Sequence, residues 1–204
     1  MVQRLRRGER LVLATHNAGK VREMQALVAP FGIHVVSAGE LGLPVPDETE
    51  TTFTGNASLK AVAASEASGL TALSDDSGIE IAVLDGAPGV VSADWAGTTK
   101  DFSLAMRRVH DAVVARGVSF ETAPAANFTS VLCLARKGEP PVTFEGKVFG
   151  HLAWPPRGTN GFGYDPIFVP NGHGRTFGEM VSDEKHRISH RAIAFAKFAA
   201  ACLE

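Results

Sequence analysis

The sequence predicts an α/β fold in which helices flank a mixed β-sheet. Early in the chain, short apolar segments alternate with segments whose apolar residues recur at helical spacing. Further along, two apolar segments are joined through Lys137–Pro141, which is typical of an antiparallel pair of strands. Alternating strands and helices followed by such a pair indicate a sheet with both strand directions.

The first half of the chain supplies most of the alternation. Leu11–Thr15 is a short apolar run that ends in polar residues, as expected of a buried strand that leads into a loop. Apolar residues at helical spacing predict a helix over Lys20–Phe31, which Pro30 and Gly32 end. The segments that follow are a strand at His34–Ala38, a turn-rich loop at Gly39–Thr52, an Ala-rich helix at Phe53–Ser68, and strands at Thr71–Leu73 and Ile79–Leu84 around an acidic turn.

The second half contains longer loops, and no internal repeat or low-complexity linker divides the chain. We therefore expect a single domain over residues 1–204, with residues 1–10 as a short N-terminal extension. Its predicted segments are a Gly/Pro loop at Asp85–Gly97, a helix at Asp101–Arg116, paired strands at Asn127–Ala135 and Val142–Val148, a long turn at Trp154–Pro166, a strand at Ile167–Val169 and a closing helix at Ser189–Leu203.

The composition excludes several classes of function. Hydrophobic residues make up 45% of the 204 residues, and the formal net charge is −2. A general nucleic-acid binder needs a basic stripe, so we expect no nucleic-acid partner. The apolar stretch Leu11–Ala14 is too short for a signal peptide or a membrane span, so we expect no membrane partner. Cys133 and Cys202 share no metal or disulfide motif, which suits a reducing compartment, and we expect a cytoplasmic protein.

The loop between the first predicted strand and helix is a candidate for phosphate binding, because free backbone N–H groups collect anions at such positions. It differs from a P-loop, since Ala14 replaces the first glycine and Val21 replaces the final Ser or Thr. Two interpretations stay open: a phosphate-binding loop and an ordinary solvated turn. The candidate residues are Thr15, His16, Asn17, Ala18, Gly19 and Lys20.

Asn56 and Lys60 interrupt the Ala-rich helix with polar side chains. Their i, i+4 spacing places both on one face of that helix. This face either binds substrate or is simply solvated.

The acidic segment Ser74–Gly78 is a candidate metal site. Asp75 and Asp76 are adjacent, and neighbouring carboxylates disfavour joint ionisation unless they meet a cation. Mg²⁺ prefers oxygen ligands, often one or two carboxylates together with substrate phosphates. Asp47 and Glu48, in a predicted loop, are the natural source of further ligands. We therefore expect Mg²⁺ to be held by residues from these two pairs.

Gly161–Pro166 sets two aromatic residues among glycines in a predicted turn. Exposed aromatic side chains stack on nucleobases, although a packed aromatic corner explains the pattern equally well. Downstream, Ser189 fits an N-cap, which leaves His190 and Arg191 in the first helical turn. Cations there oppose the helix dipole, and a bound nucleotide would resolve that conflict. Lys185 adds positive charge just before this helix.

Five motifs occur here in one order: ATHNAGK, FTGNASLKA, SDDSG followed by GAPGVVSA, GFGYDPIF, and DEK…ISHR. In these motifs the chain closely resembles the inosine triphosphate pyrophosphatase family, from about Leu11 to Phe198. The resemblance implies a two-lobed α/β fold with an elongated mixed sheet, a central nucleotide cleft, dependence on Mg²⁺ and a homodimer. It implies hydrolysis of purine nucleoside triphosphates such as ITP, dITP and XTP to the monophosphate and pyrophosphate.

The resemblance also implies roles for individual residues. Asp76 would accept a proton from the attacking water, and Ser77 would contact substrate. Residues expected at the triphosphate are Thr15, Asn17, Lys20, Asn56 and Lys60; at the metal, Asp47, Glu48 and Asp76; and at the base, Phe162, Gly163, Tyr164, Asp165, Lys185, His190 and Arg191.

One position departs from the family pattern. Members commonly carry an acidic residue just before the Asn-Ala of the second motif, where this chain has Gly55. If that carboxylate helps to bind metal in other members, metal binding in this chain would depend on Asp47, Glu48 and Asp75 instead.

Two other functions compete with this assignment. A Maf-type pyrophosphatase has a related fold but lacks the pairing of SHR with GFGYDP. A non-catalytic nucleotide sensor would keep Phe162 and Arg191 but would not need three carboxylates around a metal. The presence of Asp75, Asp76 and Glu48 therefore favours an enzyme.

Overall fold

The structure is a computed structural model that describes residues 4–204. Within this range lie six strands and five α-helices, joined by loops and short 3-10 turns. The strands are β1 (Arg10–Leu13), β2 (His34–Ser37), β3 (Thr71–Ile81), β4 (Ala125–Ala135), β5 (Val142–Leu152) and β6 (Phe168–Pro170). The α-helices are α1 (Ala18–Val28), α2 (Phe53–Ser68), α3 (Phe102–Ala115), α4 (Ser182–Ile188) and α5 (His190–Cys202).

The strands form a mixed sheet in the order β2-β1-β3-β4-β5-β6. β1 pairs in parallel with β2 and β3, and β5 pairs antiparallel with β6. β4 and β5, which the sequence predicted as partners, are neighbours. The predicted α/β class with a mixed sheet and helices is therefore confirmed.

Local sequence signals fix where the first helices begin and end. The Asn17 side chain accepts hydrogen bonds from the first turn of α1. The Thr52 side chain does the same for the N–H of Gly55 in α2. At the other end of α2, Gly69 takes the left-handed conformation (φ 67°) that ends many helices. The predicted bounds of α2 match the structure at both ends.

The prediction of a turn at the acidic segment was wrong, because Thr71–Ile81 forms one continuous strand, β3. Its carboxylates can stay in a buried strand since cationic side chains pair with them. The structure also contains α4 at Ser182–Ile188, which was not predicted because it has no apolar periodicity. Ser189 is extended (ψ 157°) between α4 and α5, as expected for the residue before a helix.

The chain divides into two compact units. The first unit comprises Met1–Asp76, Ser130–Gly146 and Arg191–Glu204, and the second comprises Ser77–Thr129 and Lys147–His190. In the first unit, buried aliphatic residues of β1, α1 and β4 pack with Phe195 and Phe198 of α5. In the second unit, Phe128, Phe168 and Phe177 form an aromatic cluster against α3. Two units agree with the two lobes that the resemblance implies.

The predicted N-terminal extension packs into the first unit as far as it is described. Its residues 1–3 lie outside the described residues. Leu5 is buried, and its N–H donates to the carbonyl of Cys202 at 2.7 Å. Within residues 4–204, no helix has both the length and the apolar character that crossing a bilayer requires.

Phe198→Ala tests the core of the first unit. Phe198 is fully buried against Phe144 and Phe195, so the substitution should lower the free energy of unfolding by about 3–5 kcal/mol. Urea denaturation measures this change. Phe149→Ala is the matched control, since Phe149 is 59% exposed and its loss should change the midpoint little. Equal shifts for both variants would contradict this account of the core.

Candidate active site

The predicted site residues form two groups, each within one unit. The first group gathers around Asp75 and Asp76 of β3, and α1, α2 and α5 supply its cations. The second group is built from the Gly161–Pro166 loop, α4 and His190.

In the predicted phosphate loop, the backbone N–H groups of Thr15, Asn17, Gly19 and Lys20 are already engaged. Asn17 Oδ1 accepts from the N–H groups of Gly19 and Lys20 at 2.9 and 3.2 Å. Thr15 Oγ1 accepts from the N–H of Asn17 at 3.2 Å, and its own hydroxyl proton remains available as a donor. His16 Nε2 lies 3.1 Å from the carbonyl oxygen of Leu43. The capacity of this loop for phosphate therefore depends on Lys20 and the Thr15 hydroxyl more than on the amides.

Asp75 is a buried carboxylate between two cations. Its Oδ2 lies 2.8 Å from Nη2 of Arg191 and 3.0 Å from Nζ of Lys20. Its Oδ1 accepts from the Ser130 hydroxyl at 2.6 Å. Burial alone would raise the pKa of Asp75, but Arg191 and Lys20 outweigh it and hold that pKa well below its usual value. Because both oxygens are engaged, Asp75 does not fit the metal-ligand role that the sequence suggested.

Arg191 does not face solvent or an open base site. It is 1% exposed, and its guanidinium pairs with Glu23 of α1 as well as with Asp75. Although burial disfavours a charge, these two carboxylates raise the pKa of Arg191, so the side chain stays a cation. Lys20 behaves oppositely, since burial lowers its pKa against the pull of Asp75. Arg191 is therefore part of the charge network that also contains Glu23, Asp75 and Lys20.

Asp76 is held in a second, separate arrangement. Nζ of Lys60 lies 2.7 Å from Asp76 Oδ1 and 2.9 Å from Glu48 Oε1. Oδ2 of Asp76 is buried and has no hydrogen-bond partner among the described residues. Burial raises the pKa of Asp76 despite the opposing charge of Lys60. One oxygen is thus fixed, and the other is positioned to accept a proton or a cation.

The donor set around Asp76 fits Mg²⁺. Within residues 4–204 no three His, Cys, Asp or Glu residues converge as a metal-binding group. Mg²⁺ does not need three, because it often binds one or two carboxylates and keeps its remaining sites for water and substrate phosphates. Asp76 and Glu48, joined by Lys60, supply two such carboxylates. Asp47 and Glu48 are both exposed on the same loop, and it is Glu48 that pairs with Lys60.

The polar face of α2 is buried and not solvated. Asn56 and Lys60 are 2% and 8% exposed. Oδ1 of Asn56 accepts from the backbone N–H of Glu50 at 3.0 Å, so this side chain anchors the acidic loop. At Gly55 a Cβ would lie 2.7 Å from Cβ and 3.0 Å from Oε2 of Glu50. The space next to Gly55 is therefore taken by another acidic side chain.

In the second unit, Asp165 organises the aromatic loop. Its Oδ2 accepts from the N–H of Phe162 at 2.8 Å and from Nζ of Lys185 at 2.7 Å. A side chain at Gly161 would collide with this carboxylate, because its Cβ would lie 2.0 Å from Oδ2. Nζ of Lys185 lies 4.9 Å from the centre of the half-buried Phe162 ring, a cation–π distance. The loop therefore presents Phe162 with a buried cation beside it.

Other predicted base contacts have structural partners. Tyr164 is buried, donates its hydroxyl to the carbonyl of Ser92 at 2.8 Å and packs edge-on against Phe102. The packed aromatic corner is thus the correct interpretation for Tyr164. The His190 ring stacks on Phe128 with centroids 4.9 Å apart. Gly163 (φ 70°) and the half-buried Ser77 complete the predicted set.

Sequence reasoning missed two members of the first group. Glu23 follows Lys20 by three residues, so helical spacing alone places both on one face of α1. Ser130 lies in the apolar strand β4, and no signal in the sequence distinguishes it. Asp75 and Arg191 need hydrogen-bonding partners because they are buried. Ser130 is the partner of Asp75, and Glu23 is the partner of Arg191.

Known proteins resemble this chain over nearly its whole length. A model of the Ham1 family matches residues 11–201. The dITP/XTP pyrophosphatase of Bradyrhizobium diazoefficiens is 54% identical over 202 residues and covers 96% of both chains. The dITP/XTP pyrophosphatase of Agrobacterium fabrum is 53% identical over 205 residues, covering 95% of this chain and 96% of its own.

Solved structures agree with these relatives. A HAM1 protein from Coxiella burnetii superposes with a TM-score of 0.86 at 38% identity, covering 95% of this chain and 98% of its own. The Ham1 protein of Staphylococcus aureus gives a TM-score of 0.82 at 30% identity, covering 95% of this chain and 97% of its own. The family resemblance seen in the motifs is confirmed: the chain belongs to the Ham1 family.

Proposed function

We propose that this protein is a nucleoside triphosphate pyrophosphatase that hydrolyses dITP, XTP and ITP to the monophosphate and pyrophosphate. The name shared by its relatives, dITP/XTP pyrophosphatase, supports this substrate class. The observation that carries the chemistry is Asp76, with one oxygen fixed by Lys60 and the other buried without a hydrogen-bond partner among the described residues. Because the chain belongs to the Ham1 family, we do not propose the alternative function of a Maf-type pyrophosphatase.

In this proposal Lys20 and Lys60 bind the triphosphate and offset its negative charge. Breaking the bond between the α- and β-phosphates transfers negative charge to the departing pyrophosphate, and cations stabilise that charge in the transition state. Folding has already removed much of the hydration of the Lys20 and Lys60 ammonium groups. These groups therefore have less water to lose when they contact phosphate oxygens directly. When bound at Asp76 and Glu48, Mg²⁺ would add further positive charge at the phosphates.

Asp76 is the proposed proton acceptor. Its carboxylate takes a proton from a water molecule as that water attacks the α-phosphorus, and the bond to the β-phosphate oxygen breaks. Burial raises the pKa of Asp76, which makes it a stronger base than an ordinary aspartate. Asp75 acts indirectly in this proposal, since it holds Lys20 and Arg191 in place.

The purine is recognised by the second unit. Phe162 offers a face for stacking, and the Lys185 ammonium can donate but never accept a hydrogen bond. A donor suits the 6-oxo group of hypoxanthine or xanthine and leaves the 6-amino group of adenine unsatisfied. His190, fixed against Phe128, is the second candidate. Of the residues that the resemblance places at the base, Lys185 and His190 are therefore the ones that this proposal assigns to reading the 6-oxo group.

Three further features belong to this proposal. Mg²⁺ is the proposed cofactor, on the strength of the Asp76–Glu48 donor set. A homodimer and a location in the cytoplasm follow from the family resemblance and from the cysteine usage, respectively.

A nucleotide panel tests the proposed function. Pyrophosphate release with Mg²⁺ should be fast for ITP, dITP and XTP and at least tenfold slower for ATP, because a single mismatched hydrogen bond at the 6-amino group costs roughly this much or more. GTP carries the same 6-oxo group as ITP, so its rate measures recognition of the purine 2-position. Equal rates for ATP, or no release from ITP and XTP, would refute the assignment. Binding of ITP without any release would identify the nucleotide sensor instead.

Asp76→Asn tests the proton acceptor. Turnover of ITP should fall by at least about 100-fold, since asparagine cannot accept the proton, while nucleotide binding measured by calorimetry should be largely retained. Asp111→Asn is the control, because the Asp111 side chain is 80% exposed on α3. Lost binding with an intact fold would make Asp76 chiefly a binding residue.

Asp75→Asn tests the charge network through stability. The substitution leaves Arg191 and Lys20 buried without this counter-charge and should cost about 3–5 kcal/mol at pH 7. The pKa of Asp75 is lowered in the folded state, so its contribution is complete above the unfolded pKa of about 4 and is lost as the pH falls further. The difference in urea midpoint between the natural protein and the variant should therefore be the same at pH 7 and pH 5 and should begin to narrow at pH 3.5. A gap that closes between pH 7 and 5 would contradict this account.

A further inference from the structure

Glu50 occupies a position that Gly55 leaves open. The Cβ, Cγ and Oε2 atoms of Glu50 lie 2.7, 2.9 and 3.0 Å from the point where a Cβ on residue 55 would be. Any residue other than glycine at position 55 would push this side chain away. Positions 50 and 55 are therefore complementary in size. The loop supplies the Glu50 side chain, and the absence of a side chain at Gly55 of α2 leaves space for it.

The loop that carries Glu50 is tied to the candidate metal site at two points. Asn56 Oδ1 accepts from the N–H of Glu50, and Nζ of Lys60 binds the carboxylate of Glu48. Both anchoring side chains are buried on one face of α2. The positions of Glu48 and Glu50 are thus set by the same helix that fixes Asp76 through Lys60.

The charge balance at this site points to a cation. Lys60 is the ammonium group that contacts Asp76 and Glu48, and Lys20, which also acts electrostatically on Asp76, is itself paired with Asp75. The two carboxylates of Asp76 and Glu48 therefore share one directly bound positive charge. Asp76 is 4% exposed, and its Oδ2 has no hydrogen-bond partner among the described residues. Glu50 adds a third negative charge to the same anchored loop and is itself exposed. A divalent cation offsets this excess, and a hydrated ion suits an exposed carboxylate.

We propose that Glu50 is an additional carboxylate of the divalent-cation site formed by Asp76 and Glu48, and that Gly55 is required to seat it. Glu50 acts on water molecules of the hydrated ion, since three acidic side chains do not converge directly in residues 4–204. The inference deepens the proposed function, because it concerns the cation of the same reaction. It assigns to Glu50 and Gly55 a joint role that neither residue would have alone.

Binding of Mn²⁺ to the protein without nucleotide tests this inference. Free Mn²⁺ is counted by electron paramagnetic resonance for the natural protein and three variants. Glu50→Gln removes the charge and should raise the Kd for Mn²⁺ by about fivefold or more. Gly55→Ala keeps every carboxylate but displaces Glu50, and should weaken Mn²⁺ binding in the same direction. Glu139→Gln, in the exposed turn between β4 and β5, should leave the Kd unchanged.

Each other result overturns a defined part of the inference. An unchanged Kd in Glu50→Gln refutes the role of Glu50, and an unchanged Kd in Gly55→Ala refutes the role of Gly55. A Glu50→Gln variant that loses thermal stability but binds Mn²⁺ normally would show that Glu50 only stabilises the start of α2. An equal loss in Glu139→Gln would show a general effect of net charge.

The same experiment separates this inference from the proposed function. Mn²⁺ binding needs no turnover, so a protein that binds Mn²⁺ through Glu50 yet hydrolyses no nucleotide of the panel would refute only the pyrophosphatase activity. A protein that releases pyrophosphate from ITP while Glu50→Gln binds Mn²⁺ normally would refute only the inference about Glu50.

Discussion

The buried carboxylate of Asp75 is the constraint on which the first unit depends. It meets Arg191 from α5, Lys20 from α1 and the Ser130 hydroxyl from β4, so one side chain of β3 joins three other elements. Burying any of these charges alone would cost several kcal/mol, and together they are compensated. The position of Lys20, and with it the proposed grip on phosphate, follows from this one carboxylate.

Asp75 and Asp76 show how strand geometry separates two adjacent and identical residues. Successive side chains of a strand point to opposite faces, so the two carboxylates enter different surroundings. Cations lower the pKa of Asp75, whereas burial raises the pKa of Asp76. The first becomes a permanent anion that organises its neighbours, and the second is suited to exchange a proton. Two groups whose pKa values are moved in opposite directions are typical of acid–base sites.

Much of the fold could be predicted because its elements carry local signals. Gly69 marked the end of the predicted Ala-rich helix, and apolar runs revealed most of the strands, whereas the cap at Asn17, which starts the first helix at Ala18, was not predicted. The acidic segment was misplaced because two carboxylates in a buried strand look like a turn until their distant cations are known. The helix α4 was missed because its seven residues are largely polar, and only tertiary contacts such as Lys185–Asp165 explain its position.

The sequence was a better guide to which residues belong to the candidate site than to which of them contact each other. Motif spacing identified Lys60, Asp76 and Phe162, but it could not show that Arg191 is buried on Glu23 or that Asn56 anchors a loop. Such pairings join residues far apart in the chain, and a single sequence contains no record of which cation meets which carboxylate. Gly55 illustrates the same limit, since its partner Glu50 becomes visible only in three dimensions.

The pairing of β3 with β1 has a consequence for the chemistry. The register Leu11↔Thr71, Val12↔Ala72, Leu13↔Leu73 places Leu73 in the core with α5 and Ala72 in a separate cluster of small residues. By alternation, Asp75 lies on the face of Leu73 and Asp76 on the face of Ala72. A slip of one residue would turn every side chain over, presenting Asp76 to the buried arginine and Asp75 to the lysine of α2. The difference in size between Leu73 and Ala72 therefore helps to determine which aspartate meets Arg191 and which meets Lys60.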